Sequence, residues 1–293
     1  GRRPGGALPG GRRRMSADPG AALAALAVHD PERGVRTVGL EGLQAFCLEH
    51  GLSLPQGARV AVNQALMPLP LLKYLHALSM ADQAKLLHAS VLLVGAGGLG
   101  GYALELLSRF GVGRITVADG DVFEESNLNR QLLSSADNLG QNKARAGAKR
   151  ASRTSPLVSV EALDFFLDES NLCAALGDVD IVVDALGGIR FRRALRVAAS
   201  QAGVPVVGAA VAGWTALVGS ELPGQTGIST MWTGSDARDA ERVLGSLAPA
   251  ACLAASLQAA EAVQYLITGD LRLAGRMLHA DLSSFAFTLY DLA

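Results

Sequence analysis

Residues 91–101 read Val-Leu-Leu-Val-Gly-Ala-Gly-Gly-Leu-Gly-Gly. An apolar run, then G-x-G-G-x-G, then a helical pattern describes a buried strand that turns over a nucleotide phosphate into a helix. Gly95 permits the tight exit from the strand. Gly97 and Gly98 let backbone approach a ligand, and Gly100 permits close helix–sheet packing. The positive end of the helix dipole then faces the phosphates.

Outward from this turn, strands and helices alternate. Ser79–Ala89 reads as a helix capped by Ser79, with Leu86 and Leu87 inward, and Ser90–Val94 as the strand. Tyr102–Phe110 reads as the next helix, with Leu106, Leu107 and Phe110 on its apolar side and Gly111 and Gly113 stopping it. Strands are expected at Ile115–Ala118, Val158–Leu163, Asp180–Val183 and Val204–Ala209. Helices are expected at Asn142–Arg153, Ser170–Leu176 and Arg193–Gln201. This is an α/β fold, a doubly wound Rossmann-like, mostly parallel sheet. Beyond Trp214 the pattern becomes a C-terminal antiparallel extension: a strand at Ala216–Leu222, a long apolar helix at Ala250–Ile267 ended by Gly269, and a hairpin of Met277–Leu282 and Phe285–Leu289.

Upstream, residues 1–34 read as a disordered or extension tail, rich in Gly, Pro and Arg up to Met15. A secretory signal would use Arg12–Arg14 and Ala21–Val28, but Asp18, Pro19 and Gly20 interrupt it. Residues 35–78 form a small N-terminal element of unread role, with a helix at Leu40–His50, a strand at Arg59–Asn63, and Pro68 and Pro70 as breakers. A net charge of −1 gives no footprint for nucleic acid or an anionic membrane. No apolar run is expected to span a bilayer. Cys47, Cys173 and Cys252 stand apart without a C-x-x-C pair, which fits a reducing, cytoplasmic compartment.

Downstream of the glycine turn, Asp119 ends the second strand where an acid meets ribose hydroxyls. Dinucleotide-dependent oxidoreductases place an acid there too, so Asp119 alone leaves that alternative open. Asp121 reads as a solvated loop charge. The long connection after it concentrates Ser126, Asn127, Arg130 and Gln131, and Lys143 opens the next helix. Arg130 offers a fork for a γ-phosphate or pyrophosphate, and Lys143 a point charge. Hydride transfer needs neither cation. Attack on an α-phosphate with departure of pyrophosphate needs both, because negative charge builds on the leaving group.

These stretches resemble the ThiF/MoeB/HesA group, bacterial relatives of ubiquitin-activating enzymes. The resemblance rests on Val94-Gly-Ala-Gly-Gly-Leu-Gly100, Asp119-Gly-Asp121, Ser126-Asn-Leu-Asn-Arg-Gln131 and Gly140-Gln-Asn-Lys143. Ser256-Leu-Gln-Ala-Ala-Glu-Ala262 and the closing hairpin match as well. It makes residues 79–293 an ATP-binding activating-enzyme domain. It implies ATP and magnesium as cofactors, with adenylation of the C-terminal Gly-Gly carboxylate of a ubiquitin-like sulfur carrier for molybdopterin or thiamin synthesis. Gly98 and Asp119 would hold the nucleotide, Asn127 and Arg130 the phosphates, and Lys143 the phosphate chain. A homodimer is implied, with the long C-terminal helix and Phe285–Leu289 near its contact.

The pattern breaks in three places. Where the group carries Asp-x-x-Asp-Asn, this chain reads Asp184-Ala-Leu-Gly-Gly188. Gly187 and Gly188 stand at the acid and amide positions, so magnesium is left with Asp184 as a candidate ligand, or Asp184 caps its strand. No C-x-x-C pairs exist, so no zinc is expected. No cysteine lies between Leu222 and Ala250, which weakens covalent thioester chemistry, and Cys252 reads as core. Arg190, Arg192 and Arg193 read as a solvated helix face, with a surface for an acidic carrier as the alternative. Trp214 and Trp232 read as packing or loop residues, and the five histidines show no ligand spacing. Besides the oxidoreductase, a non-catalytic binder of ATP or carrier and an enzyme adenylating another carboxylate remain open.

Overall fold

The computed structural model describes residues 19–189, 191–225, 227–228 and 240–292. Arg190 and Trp232 fall outside them.

A small N-terminal layer comes first: α1 (Pro19–Ala25), β1 (Val28–Asp30), β2 (Val35–Val38), α2 (Leu40–His50), α3 (Leu54–Asn63) and β3 (Leu66–Pro68). Its strands pair in the order β1-β2-β3. The tail expected over 1–34 therefore does not extend to its far end, because Leu23 of α1 is buried in this layer's core beside Leu43, Phe46 and Leu66. The strand expected at Arg59–Asn63 is the second half of α3. Ser53 and Gln56 form a reciprocal capping box there and a proline sits in the first turn, so the helix starts early and runs through.

The main body follows: α4 (Met80–His88), β4 (Ser90–Val94), α5 (Gly98–Phe110), β5 (Arg114–Ala118), α6 (Lys143–Thr154), β6 (Ser159–Leu163), α7 (Leu172–Ala175), β7 (Ile181–Asp184), α8 (Arg192–Gln201), β8 (Val206–Ala212), β9 (Thr215–Glu221), α9 (Ala240–Leu244), α10 (Ala248–Thr268), β10 (Arg276–Asp281) and β11 (Ala286–Asp291). The eight strands run β11-β10-β9-β8-β7-β4-β5-β6. Pairing is parallel from β6 to β8 and antiparallel from β8 to β11, as expected.

Alternation along the strands divides the core. Val91 and Leu93 face a core shared with α5 and α10, while Leu92 and Val94 face one shared with α7 and α8. Helix α5 begins at Gly98, four residues before the expected start, and its inward face is Ala103, Leu104 and Leu107, with Leu106 and Phe110 only half buried. The expected helix at Ser170–Leu176 shrinks to four residues. Helix α10 is long and apolar enough to cross a membrane, against the expectation that no run is. It serves as a core helix: Gln258 and Glu261 are buried on it and hydrogen-bonded within the sheet.

From β4 the chain moves to β5 and β6 on one side, then crosses to β7 on the other. Strand order therefore reverses beside β4, and the crevice outside its carboxyl end is where open α/β sheets bind ligands.

Candidate functional site

A cavity of about 960 Å³ opens at that switch point. Its walls are the turn after β4 (Gly95, Gly97, Gly98), the end of β5 (Asp119, Asp121) and the turn after β7 (Ala185–Ile189). Gly95 has φ +98°, and a Cβ there would lie 2.6 Å from the carbonyl oxygen of Ala185, so the exits of β4 and β7 touch through backbone. At Gly100 a Cβ would lie 1.8 Å from the Gly95 carbonyl oxygen, so only glycine lets α5 start this close to the turn. Gly97 and Gly98 differ: a Cβ would meet protein atoms only at 3.6 Å or more. Protein crowding does not require glycine at these two, and both face the cavity.

Asp119 anchors the turn. Its Oδ2 accepts from the Ala96 N–H at 2.7 Å, and its Oδ1 accepts from the Asp121 N–H at 2.8 Å. Burial pushes its carboxyl above the usual carboxylate range, opposed by those two N–H groups and by the Lys143 charge. Lys143 is buried, and its ammonium lies 3.2 Å from Oδ2 of Asp121. Asp121 is an exposed loop charge, as expected, and it also stands on the cavity wall as the partner of Lys143. Asn142 caps α6 at Arg145 N and donates to the carbonyls of Asp119 and Asp121, which ties the lysine's helix to the acid's loop.

Arg130 and Gln131 also line the cavity. The Arg130 guanidinium donates to the Ser126 carbonyl at 2.9 Å and to Asn129 Oδ1 at 3.1 Å, so part of the fork is held by its own loop. Gln131 lies beside Gly97, and its Oε1 is buried without a hydrogen-bond partner among the described residues. Ser126 and Asn127 are absent from the cavity wall. Asn127 is buried and accepts from the Glu124 N–H, capping a single 3-10 turn, while Ser126 supports Arg130 through its carbonyl.

Asp184 is not a free ligand. It is fully buried, its Oδ2 3.0 Å from Arg192 Nη1 and 3.7 Å from Arg196 Nη2, and its Oδ1 accepts from the Leu186 N–H. Arg192 is correspondingly buried, not part of a solvated face, and also donates to the carbonyls of Gly188, Leu186 and Ala209. Arg196 lies 2.5 Å from Glu221 Oε1, an ion pair by distance whose angles make no hydrogen bond. Arg193 alone of the described pair of neighbours is exposed. Among the described residues no group of three His, Cys, Asp or Glu side chains is gathered as a metal site requires. The oxygens present therefore do not fit a protein-held magnesium at the 184–188 turn. Cys252 is half buried at the start of α10 rather than in the core.

Composition and period hid other wall residues. Phe165 and Phe166 follow β6, expose 44% and 65% of their surface, and line the cavity. The Phe166 ring covers Gly120, where a Cβ would approach it to 2.7 Å. Two adjacent exposed aromatics after a strand end were the available signal.

The ThiF family profile matches residues 71–292. The SAMP-activating enzyme E1 of Haloferax volcanii is 39% identical over 129 residues, 44% of this chain and 48% of that one, so the chain matches about half of that enzyme's length. The molybdopterin-synthase adenylyltransferase of Escherichia coli (strain K12) is 30% identical over 220 residues, 70% of this chain and 84% of that enzyme. The crystal structure of E. coli MccB with ATP has a TM-score of 0.61 at 23% identity, covering 73% of this chain and 66% of that one, a likeness of fold. Together with the glycine turn, the strand-end acid, Arg130 and Lys143, the match over residues 71–292 shows that the chain belongs to the ThiF family.

Proposed function

We propose that this chain is an ATP-dependent adenylyltransferase that activates the C-terminal Gly-Gly carboxylate of a ubiquitin-like sulfur carrier. The observation that carries it is the placement of Arg130 and Lys143 on one cavity wall with the glycine turn. The names of the relatives, a SAMP-activating enzyme and a molybdopterin-synthase adenylyltransferase, point the same way.

The triphosphate lies along the turn, against the N-terminus of α5. Asp119 meets the ribose, and Phe165 and Phe166 offer the base an apolar face. A carboxylate oxygen of the carrier tail attacks the α-phosphorus, the bond from that phosphorus to the bridging oxygen breaks, and pyrophosphate leaves with the electron pair. Arg130 and Lys143 stabilise the charge that gathers on the departing group, and proximity supplies much of the remainder. Arg130 reaches it by exchanging its hold on the Ser126 carbonyl for phosphate oxygen, and Lys143 by sharing its ammonium between Asp121 and the phosphate.

The active unit is a homodimer through the sheet edge at β11, where Phe285, Phe287, Leu289 and Tyr290 are exposed. One observation favours a second reading, a member that binds ATP or carrier without chemistry: the strand-end carboxylate Asp184 is locked in a buried ion pair. ATP–pyrophosphate exchange with the cognate carrier separates the two. Exchange is expected in the wild type, falling at least about a hundredfold in Arg130→Ala, the usual effect of one lost charge-stabilising donor. No exchange in the wild type favours the binder, and undiminished exchange in the variant removes Arg130 from the mechanism.

A further inference from the structure

We infer that this cavity holds its nucleotide on side-chain cations and backbone N–H groups without a protein-ligated divalent ion, so that magnesium enters only as a partner of the nucleotide. The inference rests on the nucleotide reading above. Three carboxylates stand on or directly behind the cavity wall, and each already has a partner within the chain. Asp184 is fully buried and shared by Arg192 and Arg196, so turning it toward the cavity would strand two guanidinium groups away from water. Asp119 accepts a backbone N–H at each oxygen. Asp121 keeps an exposed side, but Lys143 lies 3.2 Å from it, and a divalent ion bound there would sit against that ammonium.

The turn between Asp184 and Arg192 offers a cation no side-chain oxygen at Ala185, Leu186, Gly187, Gly188 or Ile189. Arg192 fastens this turn from below by donating to the carbonyls of Leu186 and Gly188. It does so while lining the cavity beside Arg130 and Lys143. At Gly187 a Cβ would meet nothing within 4 Å, and its φ is not positive, so a carboxylate there is sterically permitted. The place for an oxygen ligand exists, and this chain leaves it bare, with Arg130 and Lys143 on the cavity wall and Arg192 committed to Asp184.

Where no protein carboxylate ligates the ion, removing magnesium costs the complex no protein–metal bond, so ATP binding should not depend on it. Calorimetric titration of the full chain with ATP, in EDTA and in excess magnesium chloride, measures this. The expected dissociation constants agree within about threefold, or favour the EDTA arm. Loss of ten-fold or more in EDTA overturns the inference and leaves the nucleotide reading standing. Failure to bind ATP in both buffers overturns the nucleotide reading and this inference with it. Gly187→Asp should convert the response, so that EDTA weakens ATP binding at least ten-fold in the variant and manganese alone gives a bound-ion spectrum in electron paramagnetic resonance. A variant that stays as insensitive to metal as the wild type would overturn the assignment of this turn as the bare ligand position.

Discussion

The Asp184 carboxylate shows how a residue's role follows from its surroundings. At a strand end over a nucleotide cavity it reads as a ligand or a cap. Folded, it is the acceptor for two buried arginines, with Glu221 taking the far side of Arg196. Removing one partner of such a group leaves uncompensated charge in the interior, which costs about 3–5 kcal/mol. Asp184→Asn is expected to lower stability by that order in urea denaturation, with Arg130→Ala, a half-exposed side chain, as the nearly neutral control. An Asp184→Asn protein as stable as the wild type would contradict the buried pair. Neither arginine's place could be read locally. Arg192 lies eight residues beyond Asp184, across a turn, and Arg196 one helical turn further, so the pairing exists only once β7 and α8 pack.

At the scale of elements, the strand–turn–helix around Gly95 was legible because all its determinants are local: apolar run, glycine spacing, helical period. The connection from Asp119 to Lys143 was half legible. Its charges were evident, but the division between cavity wall (Asp121, Arg130, Gln131) and scaffold (Ser126, Asn127) depends on one 3-10 turn. The closing hairpin is held at its tip by Asp281, which accepts from the Ser283 N–H and from the hydroxyls of Ser283 and Ser284. These bonds pull its carboxyl down to about 2 from an ordinary 3.8. A carboxyl depressed on folding stabilises the fold fully above the ordinary value and loses that contribution as pH falls toward the folded value. Amide protection factors across β10 and β11, taken relative to intrinsic exchange at each pH, should therefore hold from neutral pH to about 4 and fall between there and 2. Asp281→Asn should remove that acid step; a step that survives in the variant would assign it to another group.

For the whole molecule, the β11 edge of the large sheet, unpaired on its outer side among the described residues, is the informative feature. Strand β11 ends the eight-stranded sheet with Phe287 and Leu289 about half exposed and Phe285 80% exposed at its turn. Soluble sheets usually blunt such an edge, and this one carries aromatic residues instead. Replacing Phe287 with Lys is expected to shift the sedimentation coefficient from that of a dimer to that of a monomer at micromolar concentration, with the fold kept. A wild type that sediments as a monomer across that range would end the dimer proposal.

The sequence by itself determined the class of fold and the phosphate turn, since both are written in short-range periodicity or motif spacing, and it carried the motifs on which the family resemblance rests. It also marked Arg130 and Lys143 as the cations to watch. Only the tertiary structure decided that residues 19–68 form a folded layer, that Phe165, Phe166 and Asp121 stand on the cavity wall, and that Asp184 is locked out of it. Those outcomes depend on which distant segments meet, and on the cost of burying charge without a partner, neither of which a local pattern encodes.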